Sequence, residues 1–299
     1  MELVKRVLTA VVLIPVVLIL VLRAPVPVLA FVAGIVALLA IHELLKLAEA
    51  YGNQPLHIPT YIFCGAFFFV IAVHPGATDL LSTGGFAYVG LCFAVLAPFI
   101  FLAIGMYSNE LSLGFPAARI SVFAFVYIAL PMASLVQLRE QWRGGFFLLF
   151  LLLLVWAGDI FAYFIGKPFG RHRMSPRVSP NKTWEGAVAS VVASVGVGIL
   201  MFHYALPISR TLLRMHLIKQ QDGIFSEQLS LVPIIVLSIV LNMAAQLGDL
   251  VESLIKRGAG MKDSGAILPG HGGMFDRIDA LLFAAPVLWC YMAWRVIMQ

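Results

Sequence analysis

Long apolar runs are the feature of this 299-residue chain that most restricts its fold. Hydrophobic residues make up 61% of the sequence, against roughly 45–50% in soluble proteins, which excludes an ordinary soluble enzyme. The runs are continuously apolar, whereas the strands of a membrane barrel alternate over about ten residues. Since a helix needs about 20 apolar residues to cross a bilayer, the sequence predicts an all-α, polytopic integral membrane helical bundle with about nine transmembrane helices. The predicted spans are 7–22, 26–41, 58–73, 86–104, 120–138, 145–165, 186–206, 229–248 and 280–297.

Charged residues are few, and their distribution predicts a topology. The chain has 20 Lys and Arg against 15 Asp and Glu, a net charge of +5 that suits anionic membrane lipids. So apolar a chain has no broad basic face, and nucleic acid is not an expected partner. The loops at 166–185 and 249–279 are two spans apart, so they share a side. Most of the Lys and Arg residues fall on that side, which the positive-inside rule makes cytoplasmic.

A stripe of polar residues begins in the eighth predicted span and continues beyond it. Asn242, Gln246, Asp249, Ser253 and Lys256 are spaced by four and three residues, which places them on one face of a helix. The two amides are also typical of polar residues that simply bond one helix to another. A carboxylate near the hydrocarbon costs about 2.5–3.5 kcal/mol, so Asp249 needs a cation, water or a metal ion as a partner.

A polar hairpin connects this stripe to the last span and carries both signs of charge. Carboxylates alone would suit a metal, and cations alone would suit anionic lipid. Their combination indicates carboxylates that hold Mg²⁺ and cations that bind a polyphosphate, with a salt-bridged, solvated loop as the alternative. The carboxylates are Asp249, Glu252, Asp263, Asp276 and Asp279, and the cations are Lys256, Arg257, Lys262 and Arg277.

Glycines next to the last span favour phosphate binding. In the sequence Gly-His-Gly-Gly at 270–273, backbone N–H groups can approach a phosphate at a helix N-terminus. His271 either contacts the phosphate or braces the turn.

A second polar segment follows the sixth span. Ser179 before Pro180 is typical of a helix N-cap, which would aim Lys182 at an anion. Asp159 lies in an apolar run, where it is either a site residue or the partner of a loop cation. Since polar residues of this kind crowd into the second half, we predict a scaffold at 1–140 and the functional part at 141–299, within one membrane-embedded unit.

The segment SLIKRGAGMKDSGAILPGHGGMFDRID at 253–279 resembles the signature of the phosphatidate cytidylyltransferases, also called CDP-diacylglycerol synthases. That signature has Ser, Lys-Arg and Lys-Asp at the same spacing, then a Pro-Gly-His-Gly-Gly turn and Asp-Arg-apolar-Asp. The segment SPNKTWEG at 179–186 and the upstream Asp159 are also similar to that family. The resemblance implies that CTP and phosphatidate react to give CDP-diacylglycerol and pyrophosphate for phospholipid synthesis. It implies a Mg²⁺ cofactor, with room for a second cation, at a nucleotide and metal site in residues 141–299.

The resemblance also implies roles for individual residues. Asp249 and Asp276 are the expected metal carboxylates, and Asp279, Glu252 and Asp159 are further metal candidates. Catalytic roles fall to Asp249, Asp276, Lys256, Arg277 and Lys262. The expected phosphate-binding or substrate-binding residues are Lys182, Arg257, Ser253, Ser179, Asn181, Thr183, His271, Gly272 and Gly273.

Two other functions stay open on the sequence. An ion-coupled transporter would use the polar stripe, although it would be expected to show related halves. A CDP-alcohol phosphotransferase would need an Asp-Gly-x2-Ala-Arg motif, which Asp263-Ser264-Gly265-Ala266 does not supply. The expected location is a bacterial inner membrane, with the site facing the cytoplasm, and a homodimer is compatible with the sequence.

Overall fold

The computed structural model describes residues 2–73, 83–108, 110–225, 230–265, 267 and 272–297, with the backbone alone at 2–12, 83–84 and 296–297. Over these ranges the chain forms eleven α-helices, a π-helical turn, a 3-10 turn and two short strands. The helices are α1 (Glu2–Arg23), α2 (Val26–Ala50), α3 (His57–Val73), α4 (Thr83–Gly105), α5 (Leu111–Ala124), α6 (Leu130–Glu140), α7 (Gly144–Phe169), α8 (Trp184–His203), α9 (Ala205–Arg214), α10 (Leu231–Gly258) and α11 (Phe275–Ile297). The strands are β1 (Arg173–Ser175) and β2 (Ser179–Thr183), the π turn is Phe125–Ala129 and the 3-10 turn is Gln220–Asp222.

The helices confirm a polytopic helical membrane protein. In the described part of the chain, seven helices are long and apolar enough to cross a membrane, and α3 and the 13–23 part of α1 are shorter apolar helices. Each of the nine predicted spans overlaps one of these helices. The seven are Val26–Ala50, Gly85–Gly105, Leu111–Glu140, Gly144–Phe169, Trp184–His203, Leu231–Gly258 and Phe275–Arg295.

Two helix ends next to the predicted site residues differ from the prediction, namely the end of α10 and the start of α8. Helix α10 continues ten residues beyond the predicted end at 248, because polar side chains on a single face do not interrupt a helix. It ends where Gly260 adopts a φ of +71°, with Gly260 N donating to Arg257 O and Met261 N donating to Lys256 O. This is a glycine-dependent C-cap. Asp249 is therefore helical, as the spacing of the polar stripe predicts, although it lies beyond the predicted end of the span.

The prediction that Ser179 caps a helix is wrong. Ser179 begins β2, which pairs antiparallel with β1 through Ser175–Ser179 and Arg173–Thr183. Pro180 has a fixed φ and no N–H, which suits a short two-stranded ribbon. The N-cap of α8 is instead Thr183, whose hydroxyl accepts a hydrogen bond from Gly186 N at 3.2 Å.

The chain divides into two compact units, and the first consists of Met1–Val11, Pro25–Gln137 and Ile255–Ile278. Its core is a cluster of phenylalanine rings from α3, α4 and the π turn. Phe67 lies 5.1 Å from Phe93 and 5.1 Å from Phe125, measured between ring centroids. Helices α4 and α5 meet at Gly105 and Gly114, where a Cβ on either glycine would overlap the carbonyl of the other.

The second unit consists of Val12–Ala24, Leu138–Leu254 and Asp279–Gln299. Helices α7 and α8 pack along their length around Phe146, Phe150 and Phe202. A buried ion pair joins Arg139 Nη1 to Asp222 Oδ1 at 2.6 Å. It fixes the segment after α9 to the end of α6, because an uncompensated charge at either position would be costly.

Candidate active site

Three carboxylates of the second unit converge where α10 meets α11. Asp249 and Glu252 are three residues apart on α10, so they project from one face of the helix. Each of Asp249, Glu252 and Asp279 offers an oxygen that lies within 4.8 Å of the other two. Gly248 makes this approach possible, because a Cβ there would overlap the backbone oxygen of Asp279. We refer to these three residues as the carboxylate cluster.

Lys182 is in direct contact with the carboxylate cluster. Lys182 Nζ lies 2.6 Å from Asp249 Oδ2, with the Lys182 side chain 26% exposed and that of Asp249 39% exposed. Glu252 is almost fully buried, at 1% exposed. Asp159 on α7 and Lys182 both interact electrostatically with Asp279. Carboxylates so close together repel one another, so the cluster suits a hard cation that prefers oxygen ligands.

The β-hairpin presents Lys182 to the carboxylate cluster. Lys182 precedes the cap residue Thr183, which is 5% exposed and packs among glycines. A Cβ at Gly166 would lie 3.1 Å from Thr183 Oγ1, and one at Gly186 would lie 3.2 Å from it. Ser179 is partly buried and Asn181 is exposed on the same strand. The structure thus gives Thr183 a structural contact, and the predicted phosphate contacts of these residues stay predictions.

A second set of predicted residues meets within the first unit. Lys256 Nζ donates to Asp276 Oδ1 at 2.5 Å, and Ser264 N and Gly273 N donate to Asp276 Oδ2 at 3.1 and 2.8 Å. Gly272 has a φ of +78°, which explains the need for glycine in this turn. Arg257, Lys262 and Arg277 are exposed, Ser253 on the adjoining helix is partly buried, and His271 lies outside the described residues.

Glu43 belongs to this second set, although the sequence reasoning did not select it. It lies on α2, is 2% exposed, and accepts hydrogen bonds from Met274 N at 3.0 Å and Phe275 N at 2.9 Å. Ser264 Oγ donates to Glu43 Oε2 at 2.8 Å. The sequence did contain a signal for Glu43, because it is a carboxylate inside a 25-residue apolar helix. Such a carboxylate is as costly to insert into a membrane as Asp249, and it needs partners in the same way.

The two amides of the polar stripe bond one helix to another, which is one of the roles that the sequence predicts for them. Asn242 Nδ2 lies 2.8 Å from Ser190 Oγ and 2.8 Å from Ser194 Oγ, both on α8. Gln246 Nε2 donates to Asn242 Oδ1 at 2.5 Å. Gly158 on α7 leaves room for this network, since a Cβ there would lie 2.6 Å from Asn242 Nδ2. The network holds α7, α8 and α10 together behind the carboxylate cluster.

The chain is similar to bacterial proteins that share one name. A phosphatidate cytidylyltransferase of Haemophilus influenzae is 33% identical over 171 residues, which is 55% of this chain and 54% of that protein. One of Staphylococcus saprophyticus is 34% identical over 190 residues, 64% of each chain. One of Staphylococcus haemolyticus is 30% identical over 256 residues, 86% of each chain. The first two matches thus span between about half and two thirds of those relatives.

The family model that matches the chain is described as the cytidylyltransferase family. Its match runs over residues 4–294, which includes the carboxylate cluster, the β-hairpin and the polar segment between α10 and α11. The resemblance stated from the motif at 253–279 is therefore confirmed, and the chain belongs to the cytidylyltransferase family.

Proposed function

We propose that this protein transfers the cytidylyl group of CTP to the phosphate of phosphatidate. The products are CDP-diacylglycerol and pyrophosphate. The observation that carries the proposal is the carboxylate cluster with Lys182 on Asp249, in a helical membrane protein of the cytidylyltransferase family. The relatives named phosphatidate cytidylyltransferase support the choice of phosphatidate as the acceptor.

The proposed reaction is a single displacement without a protein nucleophile. A phosphate oxygen of phosphatidate forms a bond to the α-phosphorus of CTP, and the bond from that phosphorus to the oxygen bridging to the β-phosphorus breaks. Pyrophosphate leaves with the electron pair of that bond. Both reactants are anions, so the protein must offset their repulsion and the charge that develops on the leaving group. Lys182, Lys256, Lys262, Arg257 and Arg277 are the proposed cations for this task.

The carboxylate cluster fits a magnesium ion by the chemistry of its donors. Three carboxylates supply the oxygen ligands that Mg²⁺ prefers, and Mg²⁺ commonly uses few protein ligands together with substrate phosphates. When bound, the ion would supply positive charge to phosphate oxygens. We propose Asp249, Glu252 and Asp279 as its ligands, and Asp159, which interacts electrostatically with Asp279, as a further carboxylate for a second cation.

The role of Asp276 as a metal ligand stays a prediction. Its two oxygens accept hydrogen bonds from Lys256, Ser264 and Gly273. Such a set of donors favours a role in ordering the polar segment before α11. Lys182 is proposed to exchange its contact with Asp249 for one with a CTP phosphate when the nucleotide binds.

The proposed location is the inner membrane of a bacterium, with the site open to the cytoplasm. The bacterial relatives and the excess of Lys and Arg in the loops around the site support this orientation. CTP would then reach the site from water, and phosphatidate and anionic lipids from the bilayer.

A product assay with purified protein tests the proposal. Protein in detergent micelles is given CTP labelled at the α-phosphate, with and without phosphatidate and Mg²⁺. We expect labelled CDP-diacylglycerol and an equal amount of pyrophosphate only when all three are present. Folded protein that forms no labelled lipid would contradict the proposal. Release of CMP from CDP-diacylglycerol in the presence of an alcohol would instead indicate a phosphotransferase. Ion flux into proteoliposomes that hold the same protein, without product, would indicate a transporter.

A further inference from the structure

Glu43 is a buried carboxylate that no part of the proposed reaction uses. It lies on the apolar helix α2, yet both of its oxygens accept hydrogen bonds. Oε1 accepts from Met274 N, and Oε2 accepts from Phe275 N. These two N–H groups belong to the start of α11, where backbone donors have no partner within the helix. A negative charge is also favoured there by the helix dipole.

The described residues between α10 and α11 leave space for the Glu43 carboxylate. A Cβ at Gly265 would lie 2.5 Å from Glu43 Oε1, and a Cβ at Gly273 would overlap Oε2. Glycine at both positions thus leaves space for the carboxylate. Ser264 is 3% exposed and its hydroxyl donates to Oε2 at 2.8 Å. Glu43 therefore fixes the two sides of the segment, at 264–265 and at 273–275, to one point on α2.

Residues that bond to Glu43, or that adjoin such residues, also bond to the predicted site residue Asp276. Ser264 N and Gly273 N donate to Asp276 Oδ2, and Ser264 Oγ lies 3.0 Å from that oxygen. The hydroxyl has one proton, so it can donate to only one of the two carboxylates at a time. Asp276 Oδ1 in turn accepts from Lys256 Nζ at 2.5 Å. The Lys256 ammonium is thus bound by Asp276, whose backbone donors at Ser264 and Gly273 belong to or adjoin residues that bond to Glu43.

We infer that Glu43 is a positioning residue for the cytidylyl transfer. It acts by ordering the segment between α10 and α11, so that Lys256, Lys262 and Arg277 are held where they can meet phosphate. This inference rests on the proposed function, since it assigns these cations to the same reaction. Glu43 itself contacts neither substrate in this scheme.

Two variants and one matched control test the inference. Glu43→Gln keeps the size of the side chain, but its NH2 group would face backbone or hydroxyl donors. Ser264→Ala removes one of the three contacts and leaves the buried carboxylate its two backbone donors. Glu49→Gln is the control, because Glu49 lies on the same helix, is half exposed, and contacts His57 at 2.7 Å instead of α11. For each protein we would measure kcat, the KM for CTP, and hydrogen exchange at the amides of Met274 and Phe275.

For Glu43→Gln we expect kcat/KM for CTP to fall about tenfold or more, with a higher KM. The amides of Met274 and Phe275 should exchange faster, and Ser264→Ala should show smaller changes of the same kind. A loss of folded protein alone would lower kcat and leave KM unchanged. A wild-type KM for CTP and wild-type protection of both amides in purified Glu43→Gln would overturn the inference. If Glu43→Gln cannot be recovered folded, the same two wild-type values in Ser264→Ala would overturn it. An inactive wild-type protein would instead contradict the proposed function, because the exchange measurement does not depend on turnover.

Discussion

The three carboxylates of the carboxylate cluster repel one another, so we expect them to act together in holding a cation. With one carboxyl changed to an amide in Asp249→Asn, Glu252→Gln or Asp279→Asn, we expect kcat to fall at least about 100-fold, since metal-held charge contributes several kcal/mol to such a transition state. Each variant should also need more Mg²⁺ for half-maximal activity. The measurement is a Mg²⁺ titration of turnover, with Mg²⁺ binding to substrate-free protein followed by calorimetry.

Glu110→Gln is the matched control for these carboxylate variants. Glu110 is exposed and stands just before α5, in the other unit of the chain. It should keep wild-type turnover and Mg²⁺ dependence. If all four variants lose activity equally, or if none does, the carboxylate cluster is not the metal site.

Lys182 is a cation in direct contact with the carboxylate cluster, and its removal should act on nucleotide binding. In Lys182→Met the side chain keeps its length and loses its charge, so we expect the KM for CTP to rise about tenfold. Since Asp249 also loses a competing cation, less Mg²⁺ should be needed for half-maximal binding to the substrate-free protein. Lys219→Met, at an exposed position in the same unit, is the control and should change neither value. An unchanged KM for CTP in Lys182→Met would remove Lys182 from the phosphate site.

At the scale of helices, the site depends on how closely α10 and α11 approach. Gly248→Ala would place a methyl group against the backbone oxygen of Asp279, which forces the two helices apart at the level of the carboxylate cluster. We expect a loss of stability of about 1–3 kcal/mol, as for other overpacked sites, together with a large loss of turnover. Thermal unfolding in detergent and the CTP assay would measure the two effects.

Gly196→Ala on α8 is the control for this substitution, because a Cβ at Gly196 meets no atom within 4 Å. Alanine is favoured over glycine in a helix by roughly 0.5–1 kcal/mol, so this variant should be as stable as the wild type or slightly more stable. Equal unfolding temperatures and equal activity in the two variants would show that close contact at Gly248 is unnecessary.

The elements predicted best from the sequence are those that one strong physical effect determines. Continuous apolar runs of about 20 residues have few alternatives to a membrane helix, so all nine predicted spans coincide with apolar helices. The spacing of polar residues on α10 likewise placed Asn242, Gln246 and Asp249 on one helix, because helical periodicity holds for polar and apolar residues alike.

Elements that depend on weaker interactions, or on interactions between distant parts of the chain, were predicted less well. Ser179 and Thr183 both have the side chain of an N-cap, and the choice between them depends on the pairing of β1 with β2. The amphipathic helix α9 was not predicted, and the span predicted at 186–206 includes its first two residues because apolar residues continue past the end of α8 at His203. Glu43 lies more than 200 residues before Ser264, and only tertiary contact reveals that the two side chains share a hydrogen bond.

At the scale of the whole molecule, a single membrane crossing by α8 should separate the β-hairpin from α9. The hairpin carries Arg171, Arg173 and Arg177, and the positive-inside rule assigns it to the cytoplasm. Helix α9 follows α8 directly and should therefore face the opposite side. Cysteines introduced by Arg177→Cys and by Arg210→Cys test this, since both arginines are exposed. The background protein has Cys64, Cys92 and Cys290 replaced by alanine.

A membrane-impermeant maleimide should label the Arg177→Cys protein only in inside-out vesicles and the Arg210→Cys protein only in intact spheroplasts. This outcome follows from the length of α8, because a helix of 20 mostly apolar residues is long enough to span the hydrocarbon and cannot return to the same side. Retained turnover in each cysteine variant would show that the labelled molecules are folded. Labelling of both positions from one side would mean that α8 does not cross the membrane, and the proposed access of CTP from the cytoplasm would then lose its basis.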